Sequence, residues 1–200
     1  MSAPESNSRA PLAEQRPSKV KSPVSLADVD IPEAELQVLH EIAAHAGRRQ
    51  VGSKKSRSTG VMGQTSGVTA LFAGPNGTAK TMAAEALAQQ LERQLCRVDL
   101  SQVVNKYIGE TEKNLDRVFH EAEASNATLF FDEGDALFGN RSAVKDSHDR
   151  YANIEINYLL QKMEAFRGVA LLATNMADNI DPALRRRIAY VVQFPRPPAK

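Results

Sequence analysis

The sequence has no tryptophan, a single cysteine and few aromatic residues, 6% in all. With Cys96 alone there is no internal disulfide framework, and a reducing, cytoplasmic setting is expected. No apolar run approaches the roughly 18 residues of a membrane span. The opening Met1-Ser2-Ala3-Pro4-Glu5 also lacks a signal peptide's apolar stretch, so no membrane partner is expected. An excess of either charge is missing too. Lys and Arg total 25 against 24 Asp and Glu, a formal net charge of +1, so no global field favours a polyanion. No internal repeat is visible. The 200 residues suffice for one domain with a proper core and hardly for two.

Residues 1–24 are rich in Ser, Pro and charge and cannot bury enough apolar surface to offset ordering, so a disordered leader is expected there. A core domain is expected over 25–198. A helix start at Asp30-Ile31-Pro32-Glu33 leads into Leu36, Leu39 and Ala43 at helical spacing, with Gly47 as the expected stop. His40 and His45 on this helix have no further ligand type at metal spacing and read as surface or boundary residues. A flexible basic loop is expected over 46–66, with Arg48, Arg49, Lys54, Lys55 and Arg57. No aromatic residue is interleaved for base stacking, which points away from nucleic acid.

From residue 68 onward, apolar runs alternate with helical patterns. The runs Val68–Ala73, Cys96–Leu100, Thr128–Phe131, Val169–Ala173 and Tyr190–Phe194 are separated by helices. One helix buries Ala84, Leu87, Ala88, Leu91 and Leu95; the next is capped by Thr111 and buries Leu115, Val118, Phe119 and Ala122. A later one carries Ala152, Ile156, Leu159, Leu160 and Met163. The pattern predicts an α/β fold, a five-stranded parallel sheet sandwiched between helices, with ligands at the carboxyl ends of the strands.

The turn after the first strand reads Gly74, Pro75, Asn76, Gly77, Thr78, Ala79, Lys80, Thr81. Strand, glycine-rich turn, Lys-Thr and helix are the context of a phosphate-binding loop. Its glycines let successive N–H groups face an anion, and the helix N-terminus adds its positive end. Lys80 would reach the β- and γ-phosphates, and the Thr81 hydroxyl would hold Mg²⁺. Ala79 stands where the usual pattern has glycine; if that position needs a positive φ, alanine costs about 1–2 kcal/mol. Asp132 and Glu133 close the strand at 128–131. Asp132 is placed to hold Mg²⁺, usually through water, and Glu133 to orient and deprotonate an attacking water.

These segments resemble those of an AAA+ ATPase, a P-loop NTPase of the bacterial-type AAA clade. Gly74–Thr81 resembles Walker A, Leu129–Phe138 Walker B, and Ala173-Thr174-Asn175 sensor 1. Lys106, Tyr107, Ile108 and Gly109 resemble the first pore loop, and Asn179–Arg187 the end of the second region of homology. The resemblance implies a three-layer sandwich, ATP and Mg²⁺ as cofactors, and Asn175 polarising the attacking water. It also implies that Arg186 and Arg187 hold the finger positions that reach a neighbouring subunit's γ-phosphate, and that Tyr107 grips polypeptide. Family members continue past the fifth strand into a helical lid. Here the sequence runs to Pro195-Arg196-Pro197-Pro198-Ala199-Lys200, so no C-terminal lid and an open adenine side are expected. The expectation is an ATPase acting on a protein substrate within a homo- or hetero-oligomeric ring, a hexamer if assembled. Two alternatives stay open: a hydrolysis-deficient nucleotide-binding scaffold or regulatory subunit, and a nucleic-acid motor or loader.

Overall fold

A computed structural model describes residues 24–55, 67–103, 110–135, 147–175 and 182–196. Five strands form the sheet: β1 (Val68–Ala73), β2 (Leu95–Asp99), β3 (Thr128–Asp132), β4 (Val169–Thr174) and β5 (Tyr190–Gln193). The helices are α1 (Glu33–Lys55), α2 (Lys80–Gln90), α3 (Leu100–Val103), α4 (Glu110–Ser125), α5 (Ser147–Ala165) and α6 (Pro182–Arg187). All strand pairs are parallel, and the order across the sheet is β2-β3-β4-β1-β5.

The strand sequences explain this order. β1 and β4 are buried along their whole lengths, as strands covered on both faces must be. β2 and β5 carry exposed residues and lie at the two edges. Alternation along the strands divides the core in two. On one face Ala70, Phe72, Phe130 and Leu171 pack with Leu39 and Ile42 of α1 and Ala84 and Leu87 of α2. On the other, Leu71, Leu129, Phe131 and Leu172 pack with Leu115, Val118 and Phe119 of α4 and Leu159, Leu160 and Met163 of α5. The three-layer α/β sandwich expected of a P-loop NTPase is thus the observed fold. Among the described residues no helix is long and apolar enough to cross a membrane.

Three local expectations are corrected. Gly47 does not end α1, which continues to Lys55, so residues 46–55 of the expected loop are helical. A glycine stop needs the left-handed conformation, and Gly47 does not adopt it. Its helical backbone is carried by the burial of Leu39, Ile42, Ala43 and Ala46 around it. Leu100 opens α3 rather than closing β2. Thr111 does not precede its helix; α4 begins at Glu110, and the buried Thr111 hydroxyl donates to the Val103 carbonyl at 3.4 Å.

His45 reaches from α1 to the edge strand, with Nδ1 3.0 Å from the Tyr190 hydroxyl. Gly67, at the entry to β1, lies against the end of α5: a Cβ there would sit 1.9 Å from the Phe166 carbonyl oxygen. Because that obstacle is backbone, Gly67→Ala should destabilise the fold by about 1–3 kcal/mol, read as a lower urea midpoint. Cys96 is fully buried in β2, and burial foremost, with the Glu121 charge second, pushes its thiol up to about 12. Iodoacetamide at pH 8 should therefore label the native chain slowly and the urea-unfolded chain readily, since only thiolate reacts. Equal labelling rates in both states would contradict the packing described for β2.

Candidate active site

β4 lies between β1 and β3, so the carboxyl ends of these three strands converge on one site. Two close approaches shape the loop after β1. The Gly74 N–H donates to the Thr174 carbonyl at 3.0 Å, and a Cβ on Gly74 would come within 2.1 Å of the Phe194 carbonyl oxygen. Only glycine lets the loop leave the sheet beside the end of β5. Gly77, with φ of 77°, takes the left-handed turn. Ala79 has φ of −72°, so the condition under which alanine would be strained is not met. The Thr78 hydroxyl folds back onto the Pro75 carbonyl at 2.9 Å. Ala79 makes no side-chain cap, which leaves first-turn N–H groups of α2 for a bound anion.

Lys80 opens α2 and is 6% exposed. Its ammonium donates to the carbonyls of Gly74 at 2.5 Å and Pro75 at 2.8 Å, and to the Asn175 side-chain oxygen at 3.0 Å. Among the described residues it forms no ion pair. Burial lowers its pKa, and the charges of Asp132 and then Asp135 partly oppose that shift. A cation desolvated among neutral acceptors is a centre to which an anion binds strongly. Thr81 follows in the same first helical turn, half-buried.

Asp132 ends β3. Its Oδ1 accepts the Glu133 N–H at 2.9 Å, and its Oδ2 receives the Arg97 guanidinium at 2.6 Å. Glu133 is exposed, with φ of 56°, a left-handed conformation that costs a non-glycine residue on the order of 1–2 kcal/mol. Strain of this kind clusters at functional positions. Gly134 then donates to the Ala173 carbonyl at 2.9 Å, and Asp135 accepts from the Thr174 hydroxyl and, through both oxygens, from the Asn175 N–H.

Most of the residues expected from sequence fall into three groups. Gly74, Pro75, Thr78, Lys80 and Asn175 are brought into direct contact, with Asp132 and Glu133 on the neighbouring strand end. Arg186 and Arg187 lie exposed on α6, and Arg187 pairs with Glu164 of α5 at 3.6 Å. Lys106, Tyr107, Ile108 and Gly109 lie outside the described residues. Two residues at the site had no role assigned from sequence, Arg97 and Asp135, although Asp135 falls within the segment Leu129–Phe138; each acts across a strand pairing. A surface depression of about 590 Å³ between α4 and α5 includes Asp116, Arg117, His120 and Lys162 and shares no residue with this site.

The arrangement has known counterparts. The family model described as "ATPase family associated with various cellular activities (AAA)" matches residues 70–196, more than half of the chain. The chain belongs to the AAA family of ATPases. A 26S proteasome regulatory subunit 6B homolog of Dictyostelium discoideum is 32% identical over 97% of the chain and 48% of its own length. The AAA family ATPase y4kL of Sinorhizobium fredii is 37% identical over 64% of the chain and 39% of its own length. The chain thus spans less than half the length of these relatives. Among solved structures, the FIGL-1 AAA domain superimposes with a TM-score of 0.66 at 28% identity, covering 93% of this chain and 60% of that one.

Within this AAA site Asp135 anchors Asn175. Asp135→Ala removes the acceptor of the Asn175 N–H, and stability should fall by about 1–3 kcal/mol, with faster hydrogen exchange at Asn175. Asp135→Asn, which keeps one acceptor, should recover part of the loss. Unchanged urea midpoint and unchanged exchange would remove the anchoring role.

Proposed function

We propose that this chain is an ATP-binding, Mg²⁺-dependent ATP-hydrolysing AAA module that works in an oligomeric ring on a protein substrate. The observation that carries the reading is the buried Lys80 ammonium, held by loop carbonyls and Asn175, with no carboxylate paired to it among the described residues. Such a cation fits a phosphate chain, and the N–H groups of Gly74–Thr81 and the start of α2 fit the same anion. The proposed unit spans residues 25–198, after a leader of residues 1–24.

Thr81 and Asp132 would hold the metal. One hydroxyl and one carboxylate make an all-oxygen donor pair, which suits a magnesium ion bound largely through phosphates and water. The metal, when bound, supplies neutralisation of phosphate charge. Lys80 binds the phosphates and withdraws from its carbonyl acceptors as they arrive. Glu133, exposed beside Asp132, takes the proton of the attacking water, and Asn175 orients that water while sharing its oxygen with Lys80. The left-handed backbone at Glu133 supports a functional position there.

Arg187 is held by Glu164, which supports Arg186 as the arginine that reaches a neighbouring subunit. Relatives named as proteasome regulatory subunits and as a cell division cycle protein 48 homolog of Archaeoglobus fulgidus, 36% identical over 58% of the chain, support a ring and a protein substrate. Lys106, Tyr107, Ile108 and Gly109 are proposed as the segment that grips that substrate.

Steady-state ATP hydrolysis over a range of protein concentrations tests the reading. Glu133→Gln should abolish turnover while nucleotide still binds. Arg186→Ala should lower kcat by about 10³-fold or more, and Arg187→Ala by less. Nucleotide binding with no turnover in the wild type at any concentration would instead mark a binding scaffold.

A further inference from the structure

Arg97 belongs to no motif, yet among the described residues it makes the shortest polar contact that Asp132 has. It lies on the edge strand β2, in register with Phe130 of β3. Asp132 is two residues beyond Phe130, so alternation directs the Arg97 and Asp132 side chains to the same face of the sheet. The guanidinium Nη2 lies 2.6 Å from Asp132 Oδ2, with the arginine side chain 59% exposed and the aspartate 17%. Asp132 Oδ1 is already engaged by the Glu133 N–H. Both oxygens of this carboxylate are therefore occupied, one by a backbone donor and one by a full positive charge.

A divalent cation and a guanidinium compete for the same carboxylate lone pairs. Asp135 is no substitute for Asp132, because its oxygens are committed to Thr174 and Asn175 at the end of β4. We propose that Arg97 is a positioning residue that holds Asp132 when the metal is absent and sets the Mg²⁺ concentration at which the site loads. The inference rests on the proposed assignment of Asp132 to the metal. Loading requires the guanidinium to yield Oδ2 or to share it, and its exposure lets it swing into solvent when it does. The contact is a single Nη2–Oδ2 pairing, so its effect is one of charge more than of bidentate shape, and lysine can supply the same charge. Screening by salt should weaken the effect, since the pair sits at an exposed strand edge.

The test is a MgCl₂ titration of the full chain with a fluorescent ATP analogue, read as anisotropy, in wild type, Arg97→Gln, Arg97→Lys and Asp132→Asn. Removing one positive charge beside the carboxylate should lower the Mg²⁺ midpoint of Arg97→Gln by about fivefold at low salt. Arg97→Lys should stay within about twofold of wild type, and the difference for Arg97→Gln should narrow in high salt. Asp132→Asn should remove most of the Mg²⁺ dependence. The metal-free affinity for the analogue and the thermal midpoint should be unchanged in Arg97→Gln, which a merely structural role would not predict. If Asp132→Asn shifts the Mg²⁺ dependence but Arg97→Gln matches wild type, the Arg97 inference alone is overturned. If the wild type binds no analogue, or Asp132→Asn leaves its Mg²⁺ dependence intact, the assignment of Asp132 to the metal fails, and the inference fails with it.

Discussion

The Lys80 ammonium is held by two carbonyls of its own loop and by the Asn175 side chain. Burying an ammonium is costly unless its protons find acceptors, and among the described residues its close acceptors are neutral. This one arrangement ties the end of β1 to the end of β4 and leaves a positive centre with unused attraction for an anion. It also explains why the loop must run so close to its neighbours. Gly74 has to pass the Phe194 carbonyl, and its N–H has to find Thr174, before Lys80 can turn back under the loop.

The acidic half of the site is organised by the neighbouring strand pairings. β4 lies between β1 and β3, so the turn after β3 can bond to β4 through Gly134 and Asp135. Asp135 fixes the Asn175 backbone, and Asn175 in turn receives Lys80. A chain of contacts thus joins the acid-bearing turn to the phosphate-binding loop without passing through solvent. Glu133 sits inside that chain with a left-handed backbone, which the flanking bonds of Asp132 and Gly134 hold in place. Arg97 closes the group from the edge strand, with its side chain mostly exposed.

The α/β sandwich was legible because buried strands between amphipathic helices leave a strong period in the chain. Val68–Ala73 and Val169–Ala173 stood out as apolar runs, and the strands they form, β1 and β4, are buried throughout. Local stop signals were weaker guides. Gly47 looked like a helix end, but burial of Leu39, Ile42, Ala43 and Ala46 outweighs the roughly 1 kcal/mol that glycine costs in a helix. Ala79 looked like a flaw in the loop only on the assumption of a positive φ, which Gly77 takes instead.

By itself the sequence determined the residue types and their order: the glycine-rich turn before Lys80, the acids after an apolar strand, and the alternation that makes a parallel sheet. These follow from interactions among near neighbours along the chain. Tertiary structure alone decided that Asp135 anchors Asn175, that Arg97 sits on Asp132, and that Arg187 rather than Arg186 pairs with Glu164. Each of these joins residues tens of positions apart, or two adjacent arginines that look alike in sequence. Strand order and helix packing select such partners, and neither is written in the local pattern of side chains.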